Sequence, residues 1–214
     1  MDKKKRILIL SNECLSTVTA NGRTLSNFLI GYPKECLAQF SVQSVEPDFE
    51  RCDNYFCVTD GEALQAFTKG KRVGKRIVSQ KKEPKSEGTS TNYSRTALTM
   101  YLRDVVWSSK RWQKGGFTEF VEKFAPEVLL LQTGDCAFMF RLASKLAKKY
   151  KIPLVIFNSE GYYFKKHDYF RAKGFAHLIY PIFRRRFVKA FRKAMKVASC
   201  AVYNCEALRQ DYAE

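Results

Sequence analysis

Acid is the scarce charge in this chain. Its 21 Asp and Glu face 38 Lys and Arg, a formal balance of +17 over 214 residues. A surface of that sign attracts phosphates, nucleic acids or an acidic membrane face. Long apolar runs are also missing. None approaches the roughly 20 residues that a spanning helix needs, so contact with a membrane is expected only at its surface. The basic start leads into a run from Ile7 to Leu10 that is too short for a secretory signal. The seven cysteines include no CxxC pair, so zinc ligation lacks its usual spacing. Several cysteines lie in apolar stretches, where a thiol behaves as a small hydrophobe. These absences predict a protein of the reducing cytoplasm with no metal and no cofactor.

What is present is organised around the first thirty residues. Ile7 to Leu10 is apolar without alternation, the pattern of a strand covered on both faces in a parallel sheet. A loop and then a helix over Asn21 to Ile30 follow it. Further strands are expected at Leu37–Val42, Tyr55–Thr59, Val128–Leu131, Ile152–Phe157 and Cys200–Tyr203. Helices are expected near Asp60–Phe67, Tyr93–Ser108, Phe117–Phe124, from Thr133, over Pro181–Ala198 and from Glu206. On the Tyr93–Ser108 helix, Ala97, Leu98, Tyr101, Leu102, Val105 and Val106 form the apolar side. The alternation of strands and helices predicts an α/β fold: a Rossmann-like, mostly parallel sheet with helices on both faces. The whole of 1–214 reads as a single domain. Residues 69–92, with eight Lys or Arg and few apolar side chains, read as a basic mobile insertion.

Three places carry candidate chemistry. At Asn21-Gly22-Arg23-Thr24, a helix N-terminus with a glycine lets backbone approach a phosphate, and Arg23 adds a cation. The plainer alternative is a helix cap made by Asn21 and Gly22. Only one glycine is present, so neither a GxGxxG nor a Walker A loop exists. At Glu160, a carboxylate follows a buried strand at the ligand end of an open sheet and can take a proton from a hydroxyl or hold a sugar hydroxyl; capping the loop is the alternative. His167 follows in the same loop, and His177 falls in the apolar approach to the next helix. On the Pro181–Ala198 helix, Tyr180, Phe183, Phe187, Ala190, Phe191, Ala194 and Ala198 make one face. Arg185, Arg186, Lys189, Arg192, Lys193 and Lys196 make the other. The apolar face suits docking on the sheet, and the basic face suits lipid phosphates or plain water.

The runs Arg6-Ile-Leu-Ile-Leu-Ser-Asn12 with Asn21-Gly-Arg-Thr24, Leu130-Leu-Gln-Thr-Gly-Asp135, Pro153-Leu-Val-Ile-Phe-Asn-Ser-Glu-Gly-Tyr162 and Ala201-Val-Tyr-Asn204 resemble the N-terminal domain of GT-B glycosyltransferases. The nearest likeness is to the group-1-like, family-four-like enzymes of bacterial capsular and surface polysaccharide synthesis. The resemblance implies the acceptor-binding half of a retaining, metal-independent hexosyltransferase. The whole enzyme would move a hexose from a nucleotide sugar to a lipid-linked saccharide, peripherally, on the inner face of the cell membrane. It implies donor-diphosphate contact at Gly22 and Arg23 and acceptor contact at Asn12, Asn21, Thr24, Tyr162 and His167. Where the family often has a histidine, this chain has Asn158-Ser-Glu160, which makes Glu160 the expected catalytic residue. The family's C-terminal donor-binding domain is not within this chain, so the chain alone is expected to be inactive. Two other classes fit the composition: a non-catalytic Rossmann-like scaffold at a membrane surface, and a basic nucleic-acid-binding module. No RRM, KH or helix-turn-helix signature supports the last, and no nucleic acid is expected as partner.

Overall fold

The structure is a computed structural model, and it describes residues 4–78, 95–170 and 174–213. In chain order the first elements are β1 (Ile7–Leu10), α1 (Ala20–Phe28), β2 (Leu37–Ser41), β3 (Asn54–Cys57), α2 (Asp60–Lys69) and β4 (Lys75–Ile77). Then come α3 (Ala97–Ser108), α4 (Phe117–Phe124), β5 (Val128–Gln132), α5 (Ala137–Tyr150) and β6 (Leu154–Asn158). The last are α6 (Phe175–Leu178), α7 (Tyr180–Met195), β7 (Cys200–Tyr203) and α8 (Glu206–Ala213). The strands form one mixed, mostly parallel sheet in the order β4-β3-β2-β1-β5-β6-β7, with helices on both faces. This is the Rossmann-like α/β architecture that unalternated apolar strands predict. The chain divides into two compact units, Met1–Thr91 with Ser109–Val128, and Asn92–Ser108 with Leu129–Glu214.

In the first unit, β1, β2 and β3 run parallel, with Ile7 opposite Leu37 and Ala38 opposite Asn54. Their core is aromatic: Phe40 stacks on Trp112 at 5.2 Å and meets Phe117 edge-on at 4.8 Å. Gln39 is a polar side chain with no exposed surface in the middle of β2. Its carbonyl accepts the Leu15 amide at 2.7 Å, and its NH2 donates to Ser11 Oγ at 2.7 Å and to the Glu13 carbonyl at 3.2 Å. One buried amide thus holds the loop between β1 and α1. The cap of α1 is Thr19 and not Asn21. Thr19 has extended backbone, and its Oγ1 accepts the Gly22 amide at 3.1 Å, so Asn21 and Gly22 fall inside the first turn.

Residues 75–77 depart from the expected mobile insertion. They form β4, antiparallel to β3, with Arg76 donating to Asn54 Oδ1 and Val73 buried beside them. A short charged strand is a common way to end a sheet without inviting further pairing. The remainder of that expected insertion, 79–92, lies outside the described residues.

The second unit holds β5, β6 and β7, all parallel, with Leu129 opposite Leu154 and Val155 opposite Cys200. The helix after β5 begins at Ala137, leaving Thr133 to Asp135 in a loop. The apolar face of α7 is the buried one, as expected, but it packs on α5 where docking on the sheet was expected: Phe187 and Phe191 meet Phe140 of α5 edge-on at 5.6 and 5.4 Å. On α3, Trp107 stacks on Phe138 at 4.5 Å. The face α3 buries is not the one its sequence suggests. Ala97, Met100, Asp104 and Trp107 are buried, while Leu98 and Leu102 are exposed.

Asp104 explains that rotation. The residue is 4% exposed, and its carboxylate pairs with Arg141 of α5 and with Arg186 of α7, the latter at 2.8 Å. Arg141 also donates to Ser108 Oγ at 2.8 Å. A buried carboxylate without such partners would carry a large desolvation cost. Arg186 therefore leaves the outward basic face assigned to it and packs over the Tyr101 ring at 5.5 Å. His177 also departs from its expected apolar setting: it is exposed and bonded to Asp168 at 2.9 Å.

Two measurements test these packing arguments. Asp104→Ala is expected to cost about 2–3 kcal/mol of unfolding free energy in urea, less than a fully enclosed pair because both arginines remain partly in water. A loss below about 0.5 kcal/mol would mean that the clamp does not hold the helices. The second concerns thiols. Burial pushes Cys14 and Cys52 up to about 12 and Cys57 to about 11, so all three stay protonated across the physiological range. Iodoacetamide at pH 8 should modify the exposed Cys200 and Cys205 first and reach the buried Cys14, Cys52, Cys57 and Cys136 only after unfolding. Mass spectrometry of the labelled peptides reads the order directly.

Candidate functional site

The sequence-predicted residues fall into both units. Asn12, Asn21, Gly22, Arg23 and Thr24 belong to the first, and Glu160, Tyr162, His167 and the basic residues of α7 to the second. In the first unit Gly22 is buried, and a Cβ there would lie 2.7 Å from both the Cys14 carbonyl and Thr19 Oγ1. The glycine is therefore required by close packing of the Cys14–Ser16 loop. Its amide is already bonded to Thr19. Arg23 and Thr24 are exposed, with Thr24 Oγ1 donating to the Ala20 carbonyl at 3.0 Å. Asn12 Oδ1 is buried without a hydrogen-bond partner among the described residues.

The second unit carries the denser constellation. β5 and β6 end side by side, and the Thr133 amide donates to the Phe157 carbonyl at 2.9 Å. This sets Thr133 next to Asn158 at the carboxyl edge of the sheet. Asn158 has no exposed surface and Thr133 is 8% exposed. Thr133 Oγ1, both amide atoms of Asn158 and Ser159 Oγ are buried with no hydrogen-bond partner among the described residues. Buried polar groups are paired in the great majority of cases, and each unpaired one costs about 1–3 kcal/mol. A run of them on adjoining strand ends is the signature of groups kept for a ligand or for ordered water.

Charged and aromatic side chains adjoin these strand ends. Asp135, 3% exposed, follows β5 and pairs with Arg95, which enters from the residues just before α3. Burial works against the Arg95 charge, but Asp135 above all, with Tyr162, Cys136 and Tyr169, outweighs it and raises the guanidinium pKa. The Tyr169 hydroxyl donates to Asp135 Oδ2 at 3.5 Å. Burial, then the hydrogen bond to Glu160 and the charge of Asp135, push Tyr162 above the ordinary phenol range. Burial and then Asp135 do the same to Tyr169. Both phenols remain protonated donors at neutral pH. Their rings lie 5.6 Å apart, and the Lys165 ammonium sits 4.7 Å from one centroid and 4.9 Å from the other.

The arrangement brings Glu160 and Tyr162 together and leaves His167 exposed. It can offer hydroxyl and amide donors, two carboxylate acceptors and an aromatic pair, a set suited to a ligand rich in hydroxyl groups. Among the described residues no three His, Cys, Asp or Glu are grouped to hold a metal ion. Arg95, Thr133, Asp135, Asn158 and Tyr169 were not predicted as site residues. Thr133, Asp135 and Asn158 stand in the strand-end runs quoted above, so position alone signals them. Nothing in the sequence near Arg95 signals a partner forty residues later.

Of the residues expected to face a membrane, Arg185, Lys189, Arg192, Lys193 and Lys196 are exposed. Arg186 is held by Asp104, and Arg192 also donates to the Tyr163 hydroxyl at 3.0 Å. Comparison of the chain with protein families, curated proteins and solved structures finds no match.

Proposed function

We propose that the chain is the acceptor-binding half of a retaining glycosyltransferase that transfers a hexose from a nucleotide sugar to a lipid-linked saccharide. The observation that carries this reading is the group of buried, unpartnered polar atoms on Thr133, Asn158 and Ser159 at the ends of β5 and β6. Open α/β sheets bind ligands at the carboxyl ends of their strands. A saccharide supplies donors and acceptors in alternation, which matches a threonine, an amide and a serine beside two carboxylates. The sequence resemblance to GT-B enzymes, on a fold of the required class, supplies the reaction.

In this reading Asn158, Thr133 and Ser159 hold acceptor hydroxyls, and Tyr162 contributes both its ring and its hydroxyl. Glu160 contacts the reacting hydroxyl and takes its proton as the new glycosidic bond forms and the donor's sugar–phosphate bond breaks, the nucleoside diphosphate leaving with the bonding electron pair. Asp135, held by Arg95, orients Tyr169. Asn12, Asn21, Thr24 and His167 remain candidate acceptor contacts. Gly22 and Arg23 remain the candidate contact for the donor diphosphate. Because the Gly22 amide is taken by Thr19, Arg23 supplies the charge. The nucleotide is assigned to the donor-binding domain that the resemblance implies for the whole enzyme. The lipid on the acceptor assigns the reaction to the inner face of the cell membrane.

Asn158→Leu separates a ligand-binding asparagine from a structural one. With no side-chain hydrogen bond among the described residues to lose, the apolar replacement should leave unfolding free energy within about 1 kcal/mol of the parent or raise it. Binding of a hexose disaccharide panel, followed by saturation-transfer NMR, should be lost in the same variant. No binding by the parent, or a fall in stability of more than about 2 kcal/mol, would count against the site. With nucleotide sugars, this chain alone should show little transfer. Transfer that Glu160→Ala abolishes would instead make the chain a complete enzyme.

A further inference from the structure

The second unit exposes large apolar side chains on helices that pack on one another. Leu98 and Leu102, one turn apart on α3, are 38% and 51% exposed. Phe175 and Leu178 on α6 are 86% and 64% exposed, and Ile182 in the first turn of α7 is 50% exposed. α3 packs against both α6 and α7. An apolar grouping of this kind on a soluble protein marks an interaction surface.

Its surroundings say what it meets. At about 100° per residue, Ile182, Arg185, Lys189 and Lys196 fall within about 60° of one another around α7, so the apolar end of the stripe runs directly into its basic part. No acidic residue occurs between Asp168 and Glu206. A second copy docking the same face would set cation against cation, at a cost in repulsion. A protein partner would have to be acidic along the whole stripe and apolar at one end. An anionic bilayer has both properties in the right order: phosphates at the surface and hydrocarbon beneath.

We infer that this face enters the interface of an anionic membrane, with Phe175 and Leu178 reaching the acyl boundary and Arg185, Lys189 and Lys193 holding lipid phosphates. Insertion does not use the apolar face of α7, which is occupied by α5. The inference goes beyond the transferase reading and does not depend on what the strand-end site binds: vesicle binding and saccharide binding are separate measurements on separate residues. No helix among the described residues is long and apolar enough to cross a membrane, so the contact is with one leaflet.

The test is co-sedimentation of the full chain with vesicles of phosphatidylcholine alone or mixed with phosphatidylglycerol. Binding is expected only to the mixed vesicles, and it should weaken as salt rises. Phe175→Ser with Leu178→Ser should weaken it by about tenfold or more. Arg185→Glu, Lys189→Glu and Lys193→Glu together should weaken it by about a hundredfold or more. All five positions are exposed, so near-ultraviolet circular dichroism should be unchanged. Phe175→Trp reports depth, because the native Trp107 and Trp112 are only 2% and 1% exposed. Its emission should shift to the blue on binding and be quenched by brominated acyl chains. Equal binding to neutral vesicles, no binding to either, or an unshifted Phe175→Trp signal in bound protein would each overturn the inference. So would a salt-resistant dimer in sedimentation velocity that Phe175→Ser with Leu178→Ser dissolves, since that would assign the face to a second copy.

Discussion

The second unit depends on one buried carboxylate. Asp104 sits on α3 and is bound by an arginine from α5 and another from α7. An ionised group with so little access to water is tolerable only with such partners. Because the arginines approach from the other two helices, α3 must turn Asp104 inward, and Met100 and Trp107 turn with it. The same rotation carries Leu98 and Leu102 to the outside. It also takes Arg186 out of the basic face of α7 and lays it over Tyr101. The inward polar contact and the outward apolar surface are thus two results of one constraint.

A comparable logic applies in the first unit with a neutral group. Gln39 bonds to the Leu15 amide, the Ser11 hydroxyl and the Glu13 carbonyl, so a β-strand residue determines the course of the loop above it. That loop then comes so close to α1 that residue 22 cannot carry a side chain. A glycine at the start of a helix after a buried strand invites a phosphate-binding explanation. Here the approach of protein backbone already accounts for it. Phosphate contact at this turn would fall to the exposed Arg23.

The excess of positive charge is not one feature. Arg95, Arg141 and Arg186 neutralise buried acids, and their charge is part of the packing. Arg185, Lys189, Lys193 and Lys196 are exposed on one side of α7. Formal charge does not separate these groups, whereas exposure and partners do. The strand ends of the second unit show the converse. The side-chain polar atoms of Thr133, Asn158 and Ser159 are buried but bear no charge, and they have no hydrogen-bond partner among the described residues. The side chains of Gln39 and Asp104, by contrast, have partners on neighbouring segments.

The sequence by itself determined the α/β class, the positions of β1, β2, β3, β5, β6 and β7, and the docking face of α7. These follow from local pattern: unalternated apolar runs for covered strands, and aromatic residues at helical spacing for a packed face. The place of Glu160 and Tyr162 in the loop after β6 was legible because a loop at a strand's carboxyl end is a predictable location. The tertiary structure decided what depends on distant partners. It set the cap at Thr19, paired β4 with β3, and chose the buried face of α3 through Asp104. It joined Arg95 to Asp135, left the Asn158 side chain without a hydrogen-bond partner among the described residues, and exposed Leu98 and Leu102 beside α6 and α7. Periodicity records how much apolar surface a helix has, but only the neighbouring groups decide which way a buried charge must point.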